Sequence, residues 1–199
     1  MTREQQKQLN VLQKSLNQLL KKYAVQYHVK KKDYMIYYVG KEFFYDALIF
    51  VSVNDRGQCI CTVKERLKPI WLDDLLWDLL GMPENKDEPV SLRAVGAFAV
   101  SGAVIWQDVS VMQEWSVEEL DKKVEQAVAH FAETIGEFSM EDFVREMSQP
   151  YHGDLRMALY YIHESDYQKA LDIVGDTSGV FQNGDLDIND AIRRYCVDQ

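Results

Sequence analysis

Leu9, Leu12, Leu16, Leu19, Leu20 and Tyr23 recur at three- and four-residue steps, with Gln, Asn and Lys on the other faces. That spacing predicts an amphipathic helix over about 3–24, because a 3.6-residue period brings those positions to one side. The period then shortens. Tyr27-His28-Val29, Tyr34 to Val39, Ala47 to Val53 and Gln58 to Val63 are runs of β-branched and aromatic residues. They are separated by Lys30-Lys31-Lys32-Asp33 and by Asn54-Asp55-Arg56-Gly57, the latter a strong turn signal. Connections this short exclude parallel crossovers, so the pattern predicts an antiparallel meander.

Pro69 opens a short helix and Gly81-Met82-Pro83 closes it, with a polar loop over Glu84 to Pro89. Leu92 to Val100 and Ala103 to Met112 predict a second hairpin turning near Ser101-Gly102. Ser116 and Glu119 then form a capping box, with Trp115 and Leu120 placed for a hydrophobic staple. The stripe continues through Val124, Ala127, Val128, Phe131 and Ile135. The same signature returns at Ser139 and Asp142, stapled by Phe138 and Phe143, for a short helix to about Met147. Pro150-Tyr151-His152-Gly153 breaks the chain. One or two helices follow over 154–174, then a Gly/Asp-rich loop over 175–186 and a terminal helix over 187–197.

Strands grouped between helices predict an α+β fold: a meander and a second hairpin forming one sheet packed against amphipathic helices, with a C-terminal helical extension. The expected division is an α+β domain over 1–148 and the extension over 149–199. Up to about residue 138 the order of elements resembles that of bacterial secretion chaperones, whose helix–three strands–helix–two strands–helix domain binds partner proteins without catalysis. The meander here holds one strand more, and the resemblance rests on order alone.

Composition narrows the class. The 199 residues are 47% hydrophobic with ten glycines and four prolines, a globular balance. No apolar run is long enough to span a membrane, and the first residues lack the apolar core of a secretory signal. Cys59 and Cys61 stand two apart on a predicted strand, with Cα atoms roughly 6.5–7 Å apart, at the limit of a disulfide. Together with Cys196 they read as reduced thiols of a cytoplasmic protein. Charge is split by position: residues 1–68 carry thirteen Lys/Arg against six Asp/Glu, and residues 69–199 carry nine against twenty-six, for a net of −10.

The helix Ile70 to Leu80 places Trp71, Leu72, Leu75, Leu76, Leu79 and Leu80 on one half of the wheel and Asp73, Asp74 and Asp78 on the other. Trp77 falls among the aspartates. It is either an aromatic anchor for a basic partner or core beneath a covering segment. Lys30-Lys31-Lys32 lies close to Tyr27, Tyr34, Tyr37 and Tyr38, but a turn of solvated lysines in a chain of net −10 argues against nucleic acid. Asn183 to Asp190 looks like a calcium loop, yet Phe181, Leu186 and Ile192 fill positions that need a ligand or glycine, and a capped helix start explains the same residues. Residues 158–171 look like half a tetratricopeptide repeat without a second copy, hence a helix–turn–helix. The histidines, His28, His130, His152 and His163, form no zinc pattern, although His152, Asp154 and His163 would converge if the tail folded back. No nucleophile elbow or phosphate loop is present in the sequence.

The expectation is therefore a non-catalytic, cytoplasmic, protein-binding protein without metal or cofactor, its acidic surface steering a basic protein partner. An immunity-type or chaperone-like role fits, and a homodimer is compatible with the charge split. The predicted contact residues are Trp77, Asp73, Asp74 and Asp78, with Trp115 as an outlier. The alternative is a small-molecule-binding or hydrolytic domain with a pocket between sheet and helices.

Overall fold

The computed structural model describes residues 2–147 and 154–199. Its first elements are α1 (Arg3–Gln26), β1 (Lys30–Lys32), β2 (Met35–Val39), β3 (Phe43–Val53), β4 (Cys59–Pro69), α2 (Ile70–Leu79), a 3-10 turn (Pro83–Lys86) and α3 (Leu92–Val95). They are followed by β5 (Ala103–Val111), α4 (Val117–Thr134), α5 (Met140–Met147), α6 (Asp154–His163), α7 (Tyr167–Val174), β6 (Gln182–Asn183), β7 (Leu186–Asp187) and α8 (Ile188–Val197). The fold is α+β, with strands β1 to β5 adjacent in chain order in one antiparallel sheet. Two compact units result, residues 1–67 with 104–138 and residues 68–103 with 139–199. The expected boundary at 148/149 falls outside the described residues, as does the break at Pro150 to Gly153, and the compact units divide at other places.

In the first unit α1 begins at a complete capping box, Thr2 accepting from the Gln5 amide and the Gln5 side chain accepting from the Thr2 amide. Its buried stripe is Leu9, Leu12, Leu16, Leu20, Tyr23 and Ala24. The helix ends where a strand was expected. His28 takes a left-handed conformation, φ 57°, while the Val29 amide returns to the Ala24 carbonyl and the His28 amide to that of Val25. This is a Schellman end made without glycine, so Tyr27-His28-Val29 is a helix cap. The lysines expected in a turn form β1, with Lys30 opposite Tyr37 and the turn displaced to Asp33 and Tyr34.

Register between β2 and β3 pairs Met35 with Leu48 and Val39 with Phe44. Of the expected second hairpin only its second strand forms. Residues 92–95 are helical, and β5 joins the sheet beside β4, the Met112 amide donating to the Cys59 carbonyl at 2.8 Å. Ala94, Gly96 and Ala97 offer a strand little side-chain area to pack. Helix α4 packs on α1, and the Tyr23 hydroxyl donates to Asp121 at 2.7 Å with Lys22 beside it at 3.3 Å. The Ser116 hydroxyl caps α4 as expected, but the Glu119 carboxylate turns to the amides of Gln113 and Glu114.

The second unit is mainly helical, with β6 and β7 paired as a short antiparallel hairpin. Gly81, φ 67°, ends α2 in another Schellman motif, with the Met82 amide on the Trp77 carbonyl. Ser139 and Asp142 cap α5 reciprocally, so aspartate fulfils the role usually given to glutamate. Helices α6 and α7 form the expected helix–turn–helix, and α8 packs on α7. Asp187 caps α8, accepting from the amides of Asn189 and Asp190, and it also holds the Gly179 amide at 2.8 Å.

Divided by unit, the whole net charge falls on one side. The first unit holds fourteen Lys/Arg and fourteen Asp/Glu, while the second holds eight and eighteen, the entire net −10.

Burial alone would raise the Asp187 pKa, but the amides of Gly179, Asp190 and Asn189, with Arg193, outweigh it and hold the carboxyl below its ordinary 3.8. A depressed folded value contributes stability that is present above the ordinary value and lost as pH falls through the folded one. Asp187→Ala is expected to cost about 1–2 kcal/mol at neutral pH. In urea titrations that cost should shrink as pH drops below about 4.

Candidate functional site

The site is built on α2. Proline 69 ends β4 and starts the helix, and Lys68 just before it is 1% exposed. A buried ammonium must find acceptors. The Lys68 Nζ donates to Asp73 Oδ1 at 3.0 Å and to the carbonyls of Arg93 and Val100 at 2.8 and 2.6 Å. Asp73, fully buried, also accepts from the Val100 amide at 2.8 Å. Its Oδ2 lies 2.8 Å from the ammonium and 3.6 Å from Arg93 Nη1, within ion-pair reach of both. Burial raises the Asp73 pKa; the Lys68 charge, the Val100 amide and Arg93 pull it back.

Arg93 fastens the 92–100 segment over the same face. Its guanidinium donates to the Ile70 carbonyl at 2.8 Å and to Asp74 at 2.5 Å, and it lies 4.7 Å from the centroid of the Trp77 ring. The Trp77 indole N–H donates to the Phe98 carbonyl at 2.6 Å, and the residue is 1% exposed. Trp77 is therefore core, the second of the two readings of its position, and Asp73 is interior with it. Neither presents a face to solvent. The buried arc of α2 is Leu72, Asp73, Leu76 and Trp77, which leaves Trp71, Leu75 and Leu79 only partly covered.

Those three residues floor a groove against α6, α7 and α8. Trp71 stacks on His163 with ring centroids 4.0 Å apart and planes 6° apart. Beside the stack a cleft of about 330 Å³ is bounded by Leu75, Asp74, Asp78, Tyr167 and Tyr195. A second cleft of about 320 Å³ shares Leu75, Asp78 and Tyr195 and continues past Leu79 and Leu186 to Arg194. Asp74 and Asp78 stand on the rim with side chains 30% and 48% exposed, paired with Arg93 and Lys86.

Of the four predicted contact residues, Asp74 and Asp78 reach this groove. Trp115 lies in the other unit ahead of α4. Sequence reasoning missed Trp71, His163 and Tyr195 as groove residues. The i, i+4, i+8 spacing of Trp71, Leu75 and Leu79 was visible, but it placed them on the buried half. The remaining candidates have local roles. Asn183 binds the Leu80 carbonyl at 3.0 Å, Asp187 is a cap, and no metal-holding cluster exists among the described residues. His28 sits at a helix end and His152 lies outside the described residues. Cys59, Cys61 and Cys196 are free and buried. Among the described residues no helix is long and apolar enough to cross a membrane.

No family model, curated protein or solved structure matches the chain.

Removing one partner of a buried ion pair leaves an uncompensated charge. Lys68→Met should cost about 3–5 kcal/mol in urea unfolding. Lys68→Met combined with Asp73→Leu should recover a large part of that loss, since no charge is then stranded.

Proposed function

We propose that the protein acts by binding another protein, docking a basic and partly apolar segment of it in the groove along α2. The observation that carries this reading is the concentration of the whole net charge of −10 on the unit that holds the groove. The first unit is neutral overall, and where α1 lies on α4 the Lys22–Asp121 pair joins the two helices. That leaves the second unit's acidity without internal compensation.

The groove's chemistry fits such a segment. Trp71, Leu75, Leu79 and Tyr195 offer apolar and aromatic area at its centre, and carboxylates stand on its rim, an arrangement suited to an apolar anchor flanked by Lys or Arg. The exposed Asp78–Lys86 pair is weak and exchanges readily for a partner's cation. Long-range attraction raises the association rate more than the final affinity. Masking a basic enzyme, as an immunity-type protein does, and escorting a basic client, as a secretion or folding chaperone does, both use a surface of this kind. Three free thiols suit a reducing, cytoplasmic compartment. No catalytic step is part of this reading.

Peptide display on the full chain at low salt tests it. Selected sequences should combine Lys or Arg with large apolar residues, and their affinity should fall about tenfold or more between 50 and 300 mM salt. Leu75→Arg, which places a cation on the groove floor, should abolish binding while the melting transition stays cooperative. Selected peptides that lack basic residues, or that bind Leu75→Arg unchanged, would refute the proposal.

A further inference from the structure

Strand β5 breaks the usual alternation. Val109 and Val111 are 53% and 37% exposed, whereas Trp106, Asp108 and Ser110 are half-buried and line a cavity with α4. Polar residues turned inward while valines face out oppose folding preference, and such inversions concentrate where a site is needed. The cavity measures about 370 Å³, the size of a small-molecule site, and its other walls are Cys61, Lys123, Gln126 and His130.

One wall is held rigid from behind. Glu65 on β4 is fully buried, and its Oε1 lies 2.8 Å from His130 Nδ1, with the Thr134 hydroxyl donating to Oε2 at 3.3 Å. Burial raises the Glu65 pKa and His130 pulls it back. His130 also stacks on Trp106, ring centroids 4.2 Å apart. The imidazole is thus clamped on one face and at one nitrogen, and Nε2 is left as its remaining polar atom. Cys61 is no nucleophile here, since burial pushes its thiol up to about 11.

The cavity carries both signs of charge. The Lys123 ammonium donates to the Ser110 hydroxyl at 3.0 Å and forms no ion pair with Asp108, and Asp108 has no hydrogen bond or ion pair among the described residues. A cation and a carboxylate held apart on the walls of one half-open pocket match a ligand bearing the two opposite charges. We infer that this cavity binds a small zwitterion, a free α-amino acid. The ligand's carboxylate pairs with Lys123 and its ammonium with Asp108, while its side chain rests on the Trp106–His130 stack. This site is independent of the groove on the other unit.

The test is a thermal-shift and calorimetric titration of the full chain with the twenty amino acids, each at about 10 mM. Matched N-acetyl and methyl-ester derivatives, which remove one charge each, accompany them. At least one amino acid should raise the melting temperature, and neither derivative of it should. Asp108→Asn and Lys123→Met should each weaken that binding about tenfold or more while melting like the parent protein without ligand. The inference is overturned if no amino acid shifts the transition. It is equally overturned if the derivatives bind as well, or if binding survives both substitutions.

Discussion

The burial of Lys68 against Asp73 sets the geometry on which the candidate groove depends. An ammonium and a carboxylate, each 1% exposed or less, tolerate little rotation of the helix that carries one of them. The Lys68 ammonium donates to Asp73, which points inward, and to the carbonyls of Arg93 and Val100. That requirement turns α2 about its axis relative to the orientation its leucines alone would favour, and it draws Trp77 into the core with Asp73. Trp71, Leu75 and Leu79 are correspondingly displaced to the groove. A buried pair of this type is weak evidence of net stabilisation, but it is costly to break, so it serves as a device of specificity.

Charge acts differently in the two units. In the first, equal numbers of acidic and basic residues are combined, and the α1–α4 contact includes Tyr23, Lys22 and Asp121 in one small network. In the second, Arg93, Lys86, Lys169 and Arg193 each pair locally, and an excess of carboxylates still remains. The basic N-terminal stretch is balanced in number by acidic residues of its own unit, whereas the second unit keeps its whole excess of carboxylates. Only the second enters the proposed steering of a basic partner.

Both candidate sites break a local rule. Along α2 an aspartate occupies a core position, and along β5 an aspartate and a serine point toward a helix while valines face away. Neither deviation is recognisable from the residue types, since Asp73 resembles Asp74 and Asp78 in sequence. The groove was half legible: Asp74 and Asp78 were identified, while Trp71, His163 and Tyr195 come from three helices distant in the chain. The pocket was legible only as a general possibility, because Glu65 and His130 are 65 residues apart and nothing local marks them as partners.

The sequence by itself determined what depends on neighbours within a turn or two. The stripe of α1, the caps at Ser116 and Ser139, the turn at Asn54 to Gly57, the stop at Gly81 and the α+β class all rest on local periodicity and hydrogen bonding. Where local preference is shallow, tertiary structure decided. Tyr27 to Val29 became a helix end because the orphan carbonyls of Ala24 and Val25 needed donors. Residues 92–100 became a cover for α2 because the Arg93 and Val100 carbonyls accept from Lys68 and the Arg93 guanidinium binds Ile70 and Asp74. Which face of α2 is buried was likewise decided by long-range partners, since a charge in the interior takes its position from whatever can neutralise it.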